Sequence, residues 1–247
     1  MRKHGVWLCS LLILLTILVP LADAQDLQQI INQTLSAHGG AALSQINNSN
    51  ATVLFTDYRL TPSVPLPATL RSFGKATRLD YTDTRGPAAF IRNGSMLWEV
   101  RGPQAQEYTG QPLAFQNGFF NPSLGIVPSL STQDFTHATT GTLRGRSVYV
   151  LRKSYWTAPW GSSNYRGTQE FIYVYIDAAS RLVIQIDYTY GSDYNRLSFR
   201  FDNYAGISGV AVPLLVSHWL NDRIIWQIQV QTVDFNQSLY PRDFAHP

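Results

Sequence analysis

The spacing of apolar residues changes period near residue 50. In "DLQQIINQTLSAHGG", Leu27, Ile30, Ile31 and Leu35 recur at i, i+3, i+4 and i+8, the spacing of one helix face. Asp26 is placed to cap the start of this helix, and Gly39 or Gly40 supplies a left-handed stop. His38 falls at that stop, where a cation suits the helix dipole, and reads as a cap residue rather than a ligand. "AALSQI" predicts a short further turn that packs back.

From Ala51 onward apolar and polar residues alternate. "ATVLFTDYRL", "KATRLDYTD" and "MLWEVR" read as strands, with "RGP" and "RNG" as turns. "TPSVPLP" breaks the first of them, because a proline cannot donate to a central ladder. After "AQEYT" the alternation stops. Residues 110–130, "GQPLAFQNGFFNPSLGIVPSL", predict a folded loop with one or two helical turns. Alternation returns at "RSVYVLRKSY" and is broken again by "WTAPWGSSNYRG". It then continues through "EFIYVYID", "RLVIQIDYTY", "NRLSFRFDNY", "VAVPLLVSHWL" and "RIIWQIQVQTVDF". Leu197, Phe199 and Phe201 alternate with Arg196, Ser198 and Arg200, the signature of an antiparallel strand with one buried face and one wet face. Thr232-Val233 interrupts the rhythm and predicts a bulge. Pro213 predicts an edge or a bulge in its strand. The fold class expected is mainly β, with an N-terminal helix and aromatic-rich lid loops. About ten or eleven antiparallel strands form a single curled sheet or half-open barrel, because so large a meander must protect its edges.

The first residues follow a different rule. Arg2, Lys3 and His4 precede an apolar run, Val6 to Val19, and "PLADA" places Ala22 and Ala24 before Gln25. These are the parts of a secretory signal peptide, so 1–24 are expected to be removed and 25–247 to form one half-barrel domain. The run is too short for a spanning helix, so no retained transmembrane segment is expected. Cys9 is the only cysteine and lies inside the run, which leaves the rest of the chain without disulfide or thiolate chemistry. The expected address is periplasmic or extracellular. A net charge of +3, with basic residues scattered, leaves no footprint for nucleic acid.

Candidate chemistry is sparse. His38, His137, His218 and His246 show no paired metal-ligand spacing, so no metal is expected. No glycine-rich phosphate loop occurs, and no cofactor is expected. Gly206-Ile207-Ser208-Gly209 brings its second glycine one position too early for a nucleophile elbow, and a strand follows it instead of a helix. Ser208 therefore reads as part of a hairpin turn. Glu99, Glu170 and Asp187 each sit beside an apolar residue in an alternating strand, where the charged member normally faces water. The chain is not expected to be an enzyme.

Aromatic residues remain, at 13% of the chain. Phe115, Phe119 and Phe120 gather in one irregular segment, and Tyr155, Trp156, Trp160 and Tyr165 in the other. Apolar loops must cover something: the end of a core, a partner or a ligand. Trp98, Phe115, Phe119, Phe120, Trp156 and Trp160 are the candidate ligand-binding residues.

Several segments together resemble a known family. The helix ending "AHGGAALSQI", the strand near "NATVLF", the hairpin "FIYVYIDAASRLVIQIDYTYG", the pair "FDNYAGISGVAVPLLVSHW" and the terminal "VDFNQSLYPRDFAHP" are similar to LolA-type outer-membrane lipoprotein carriers and their relatives. The resemblance implies an incomplete β-barrel wrapped on an apolar cavity, with helices as a lid and no catalytic residue. The function expected is that of a monomeric exported carrier or binding module for a lipid, an acyl chain or a lipoprotein. The alternative is a scaffold protein whose aromatic loops dock a partner, its cavity being only structural.

Overall fold

The computed structural model describes residues 27–74, 76–93, 96–107, 121–157, 168–190 and 195–245. The signal-peptide assignment lies outside them. Helix α1 is Leu27–Ala37, and the turn after it is a 3-10 helix, Gly40–Gln45. The helical spacing does what it predicts: Ile30 and Ile31 are 0% and 1% exposed. Thr34 is buried with them, and its hydroxyl donates to the Ile30 carbonyl at 2.8 Å, which satisfies it inside an apolar interface.

Thirteen strands follow among the described residues. The first six are β1 (Asn48–Asp57), β2 (Leu66–Phe73), β3 (Ala76–Asp83), β4 (Gly86–Asn93), β5 (Met96–Arg101) and β6 (Gln104–Glu107). The other seven are β7 (Thr136–Leu143), β8 (Arg146–Thr157), β9 (Thr168–Asp177), β10 (Val183–Tyr190), β11 (Asn195–Ile207), β12 (Val210–Leu220) and β13 (Arg223–Phe235). They form one open antiparallel sheet in the order β6-β5-β4-β3-β2-β1-β13-β12-β11-β10-β9-β8-β7. Two meanders thus meet at the β1–β13 ladder, where Phe55 pairs with Ile228 and Ser49 with Phe235. The curled sheet expected from the alternation is present, with more strands than the sequence suggested.

Local chemistry fixes the register. Ser208 and Gly209 have φ of 51° and 78°, and Asn221 and Asp222 have 46° and 62°. Both pairs are two-residue loops whose left-handed residues match the twist of the strands they join. Ser208 is therefore a turn residue, as its spacing implied. The bulge is present one residue before Thr232: Thr52 pairs with Thr232 and Val53 with Val230, so Gln231 is the extra residue. Pro213 lies opposite Tyr204 of β11, while the β12–β13 pairs run only from Leu215 to Leu220. Pro213 thus sits where β12 has a partner on one side.

Directly paired residues share a side of the sheet. The concave side carries the main core, in which Val53, Val174, Val216 and Ile228 are fully buried beside Ile30 and Ile31 of α1. Residues 121–135 complete the cover with Ile126, Val127, Leu130 and Phe135, including a 3-10 turn, Val127–Ser129. On the convex side of β2–β4, the C-terminal 3-10 turn Pro241–Phe244 packs down. Phe244 is 1% exposed, its ring 6.3 Å from that of Phe73. Arg78 donates to the Asp243 carbonyl at 3.2 Å, while Arg71 and Arg78 share the Asp80 carboxylate.

One expectation needs correction. His38 does stand at the helix stop, but it is 0% exposed, so it is no solvated cation at the end of a dipole. Its Nε2 accepts the Val183 N–H at 3.0 Å, which requires a neutral ring. Burial holds its pKa down at about 4.

Candidate functional site: the concave face

The candidate site is the concave face and the segments that cover it. Its aromatic residues fall into two groups. Phe55, Tyr81 and Phe90, from β1, β3 and β4, pack with centroids 5.0 Å apart for Phe55–Tyr81 and 5.8 Å for the stacked Tyr81–Phe90 pair. Across the β1–β13 ladder, Phe199 stacks on His218 at 4.7 Å, His218 meets Trp226 at 5.0 Å, and Tyr188 meets Phe199 edge-on at 6.0 Å. His218 is 4% exposed. Burial, and secondarily the charge of Arg59, hold its pKa down at about 3, so it packs as a neutral ring.

A charged network lies at the strand ends of the first group. Register places Arg101 opposite Ala88, Ala88 opposite Tyr81, and Glu99 opposite Phe90, all on the concave side. Arg101 reaches Asp83 at 3.0 Å, Glu99 at 2.9 Å and the Tyr81 hydroxyl at 3.0 Å. Arg85 also binds Asp83, at 2.9 Å. The Asp83 side chain is 4% exposed. Burial pushes its carboxyl up, but the hydrogen bonds from Arg85 and Arg101 outweigh that and hold it at about 2. Burial raises the Tyr81 hydroxyl, which stays a neutral donor or acceptor. Deeper along β4, Arg92 is 5% exposed, and burial lowers its pKa to about 10, against the opposing influence of Tyr188. The arrangement joins an aromatic surface to guanidinium groups at one end. Chemically it suits an apolar body with a polar or anionic head.

The acids expected to face water do not. Glu99 is 16% exposed, Glu170 6% and Asp187 2%. Asp187 accepts from Gln185 at 2.8 Å and lies on the convex side, away from Glu99. Asp187 is thus held by a local partner and does not join Glu99. No cluster able to hold a metal occurs among the described residues. No helix among them is long and apolar enough to cross a membrane.

Of the residues singled out from sequence, Trp98 is described in full. It pairs with Ile91 and Glu107, one position out of step with the Phe90–Glu99 pair, and so lies on the convex side of β5. The Trp156 backbone pairs with Gln169 in the β8–β9 ladder. Phe115, Phe119, Phe120 and Trp160 lie outside the described residues. Tyr81, Asp83, Phe90, Arg92 and Arg101 were not singled out. The phase of the alternation carried the signal: Leu79, Tyr81 and Asp83 share one parity, so an aspartate at the inward phase marks a polar end to an apolar face.

Comparison with solved structures defines the class of fold. Over 87% of this chain and 94% of the other, the structure matches a domain from Vibrio parahaemolyticus described as an outer membrane lipoprotein-sorting protein, with TM-score 0.54 and 15% identity. A LolA superfamily protein from Nitrosomonas europaea matches over 88% and 97%, with TM-score 0.51 and 12% identity. A DUF1329 family protein from Desulfovibrio piger matches over 89% and 97%, with TM-score 0.52 and 10% identity. No family model and no curated protein matches the sequence. The chain therefore has the LolA-type fold, an incomplete barrel of one curled sheet, as its sequence motifs suggested.

Proposed function

We propose that this protein is an exported, non-enzymatic carrier or binding module for an apolar ligand with a polar head, such as a fatty acid, a lipid or an acylated protein. One observation carries the proposal: the concave face of a LolA-type sheet ends in a guanidinium-bearing network and is covered by separate pieces of chain, α1 and residues 121–135. A cover made of separate segments can be displaced without unpairing the sheet. An acyl chain of comparable apolar area would then shield the same face from water, worth about 25 cal/mol per Å² buried. In this reading Arg101 and Tyr81 meet the head group. Phe115, Phe119, Phe120, Trp156 and Trp160 remain candidates for touching the tail, and Trp98 for binding outside the sheet.

Native mass spectrometry after gentle purification, combined with displacement of a fluorescent fatty acid, tests this reading. A copurifying lipid, or displacement weakened by Arg101→Ala, is the expected result. Neither lipid nor displacement would reject it and leave the scaffold reading.

A further inference from the structure

We propose that His38 is an acid-sensitive catch that holds α1 and the segment following residue 120 down on the concave face. A closed ring of hydrogen bonds passes through its side chain. Because Nε2 of His38 accepts the Val183 N–H at 3.0 Å, the ring proton belongs on Nδ1. Nδ1 lies 2.7 Å from the Ser123 hydroxyl and donates to it. Ser123 in turn donates to the Ala211 carbonyl. The Ala211 N–H donates back to the His38 carbonyl at 3.2 Å. One side chain therefore joins the C-terminal end of α1, the covering segment, β10 and β12. His38 and Ser123 are both 0% exposed, so every donor and acceptor in the ring depends on the others.

Protonation cannot be accommodated in this geometry. A proton on Nε2 would point at the Val183 N–H, donor against donor. Among the described residues the surroundings offer no carboxylate to compensate. Tyr204 of β11 is the titratable group that faces the imidazole, edge-on at 5.7 Å. Its hydroxyl donates to the Val183 carbonyl at 2.6 Å, and burial keeps it neutral. From the covering segment the group that faces it is Ser123, whose own N–H is held by Asn121 at 3.0 Å. α1 contributes Thr34, already bonded to Ile30, and β12 contributes only backbone and apolar groups here. Asp177 and Arg181, in the turn leading to β10, are committed elsewhere, Asp177 to Ser180 and Arg181 to the face of Tyr149.

The direction follows from linkage. His38 in the closed state has a pKa of about 4, against 6.5 for a solvated histidine. The closed state is thus fully favoured above pH 6.5 and loses its advantage as pH falls from 6.5 towards 4. Between pH 7.5 and 5 the opening constant rises roughly 25-fold for such a shift. The inference rests on the proposed binding role for its purpose, since the catch would gate access to that face, but its test needs no ligand.

Amide hydrogen exchange on the ligand-free full chain provides that test. Protection factors for Ile31 and Thr34 of α1 and for Leu130 should fall roughly 25-fold from pH 7.5 to 5, while those of Phe55 and Ile228 in the β1–β13 ladder hold. In His38→Gln the α1 factors should become flat with pH. In Ser123→Ala they should be lower at both values yet keep the slope. A wild-type α1 that loses protection only in step with the ladder overturns the proposal, as does a His38→Gln variant that keeps the slope. Should His38→Gln fail to fold, the imidazole nitrogen shifts of the native protein decide. A proton on Nε2 at neutral pH overturns the ring; a proton on Nδ1 with a pKa well below 6.5 supports it. Lipid binding can fail in its own assay while these exchange results stand, so the two proposals separate.

Discussion

Gly39 lies against the β11–β12 hairpin so closely that a Cβ on Gly39 would come within 2.8 Å of the Gly209 carbonyl oxygen. Gly39 also has φ of 130°, a conformation L side chains rarely adopt. Steric room and backbone freedom are thus required at one point, where the chain leaves α1 and touches the far end of the sheet. Gly39→Ala is expected to lower stability by about 2–4 kcal/mol, combining strain with a forced backbone shift. The neighbouring Gly40, with φ of 53° and open space around it, makes the control. Gly40→Ala should cost only about 1 kcal/mol. Denaturant melts of the two variants check the contrast, and equal losses would contradict it.

Asp83 gives a pH-dependent term of its own. Its folded pKa of about 2 lies below the ordinary 3.8, so its stabilising contribution is present above about pH 4 and disappears as pH falls towards 2. Asp83→Asn should cost about 1–2 kcal/mol at neutral pH, allowing for solvent near the network, and progressively less as pH falls towards 2. Urea midpoints measured from neutral pH down to about pH 2.5 should draw together for the two proteins, with most of the difference lost at the acid end.

Ser208 tests the rejected hydrolase reading and the turn at once. Its φ of 51° is costly for a side chain other than glycine or asparagine. Ser208→Gly is expected to raise stability by about 0.5–1 kcal/mol and to leave ligand binding unchanged. A fall in stability, or any esterase activity abolished by the change, would count against the assignment.

Phe244 closes the convex side of β2–β4. Phe244→Ala should cost about 3 kcal/mol, because the ring is almost wholly enclosed and its site cannot collapse onto a paired sheet. Thermal unfolding reads the effect. A loss below about 1 kcal/mol would mean that the C-terminal turn is dispensable.

Much of the fold was legible because its elements obey simple periods. Leu27, Ile30 and Ile31 gave the helix, and Leu197, Phe199 and Phe201 gave a strand with one buried face. The missed strands have weaker signals for identifiable reasons. β2 and β4 carry Pro67 and Pro87 at their second positions, and small alanines after them. Proline is tolerated at the start of a strand, but it hides one from a propensity reading. β6 is exposed throughout, and β7, "THATTGTL", alternates threonine with small residues instead of with apolar ones. The site was less legible. Its charged network depends on Asp83, Glu99 and Arg101 converging from β3 and β5, a pairing set by register rather than by spacing. His38 looked like a cap because nothing in its neighbourhood reveals that Ser123 and Val183 will close around it from 85 and 145 residues away.

The β1–β13 ladder makes the order of strands in the sheet a rotated copy of their order in the chain. If the two ends were joined by a linker and the chain were opened between β6 and β7, the strands would run β7 to β13 and then β1 to β6. Every strand would then pair with its neighbour in sequence. Such a circular permutant would exchange the one long-range ladder among the described strands for a pairing between sequence neighbours and should fold faster, leaving the native molecule as the version that must close the longer loop.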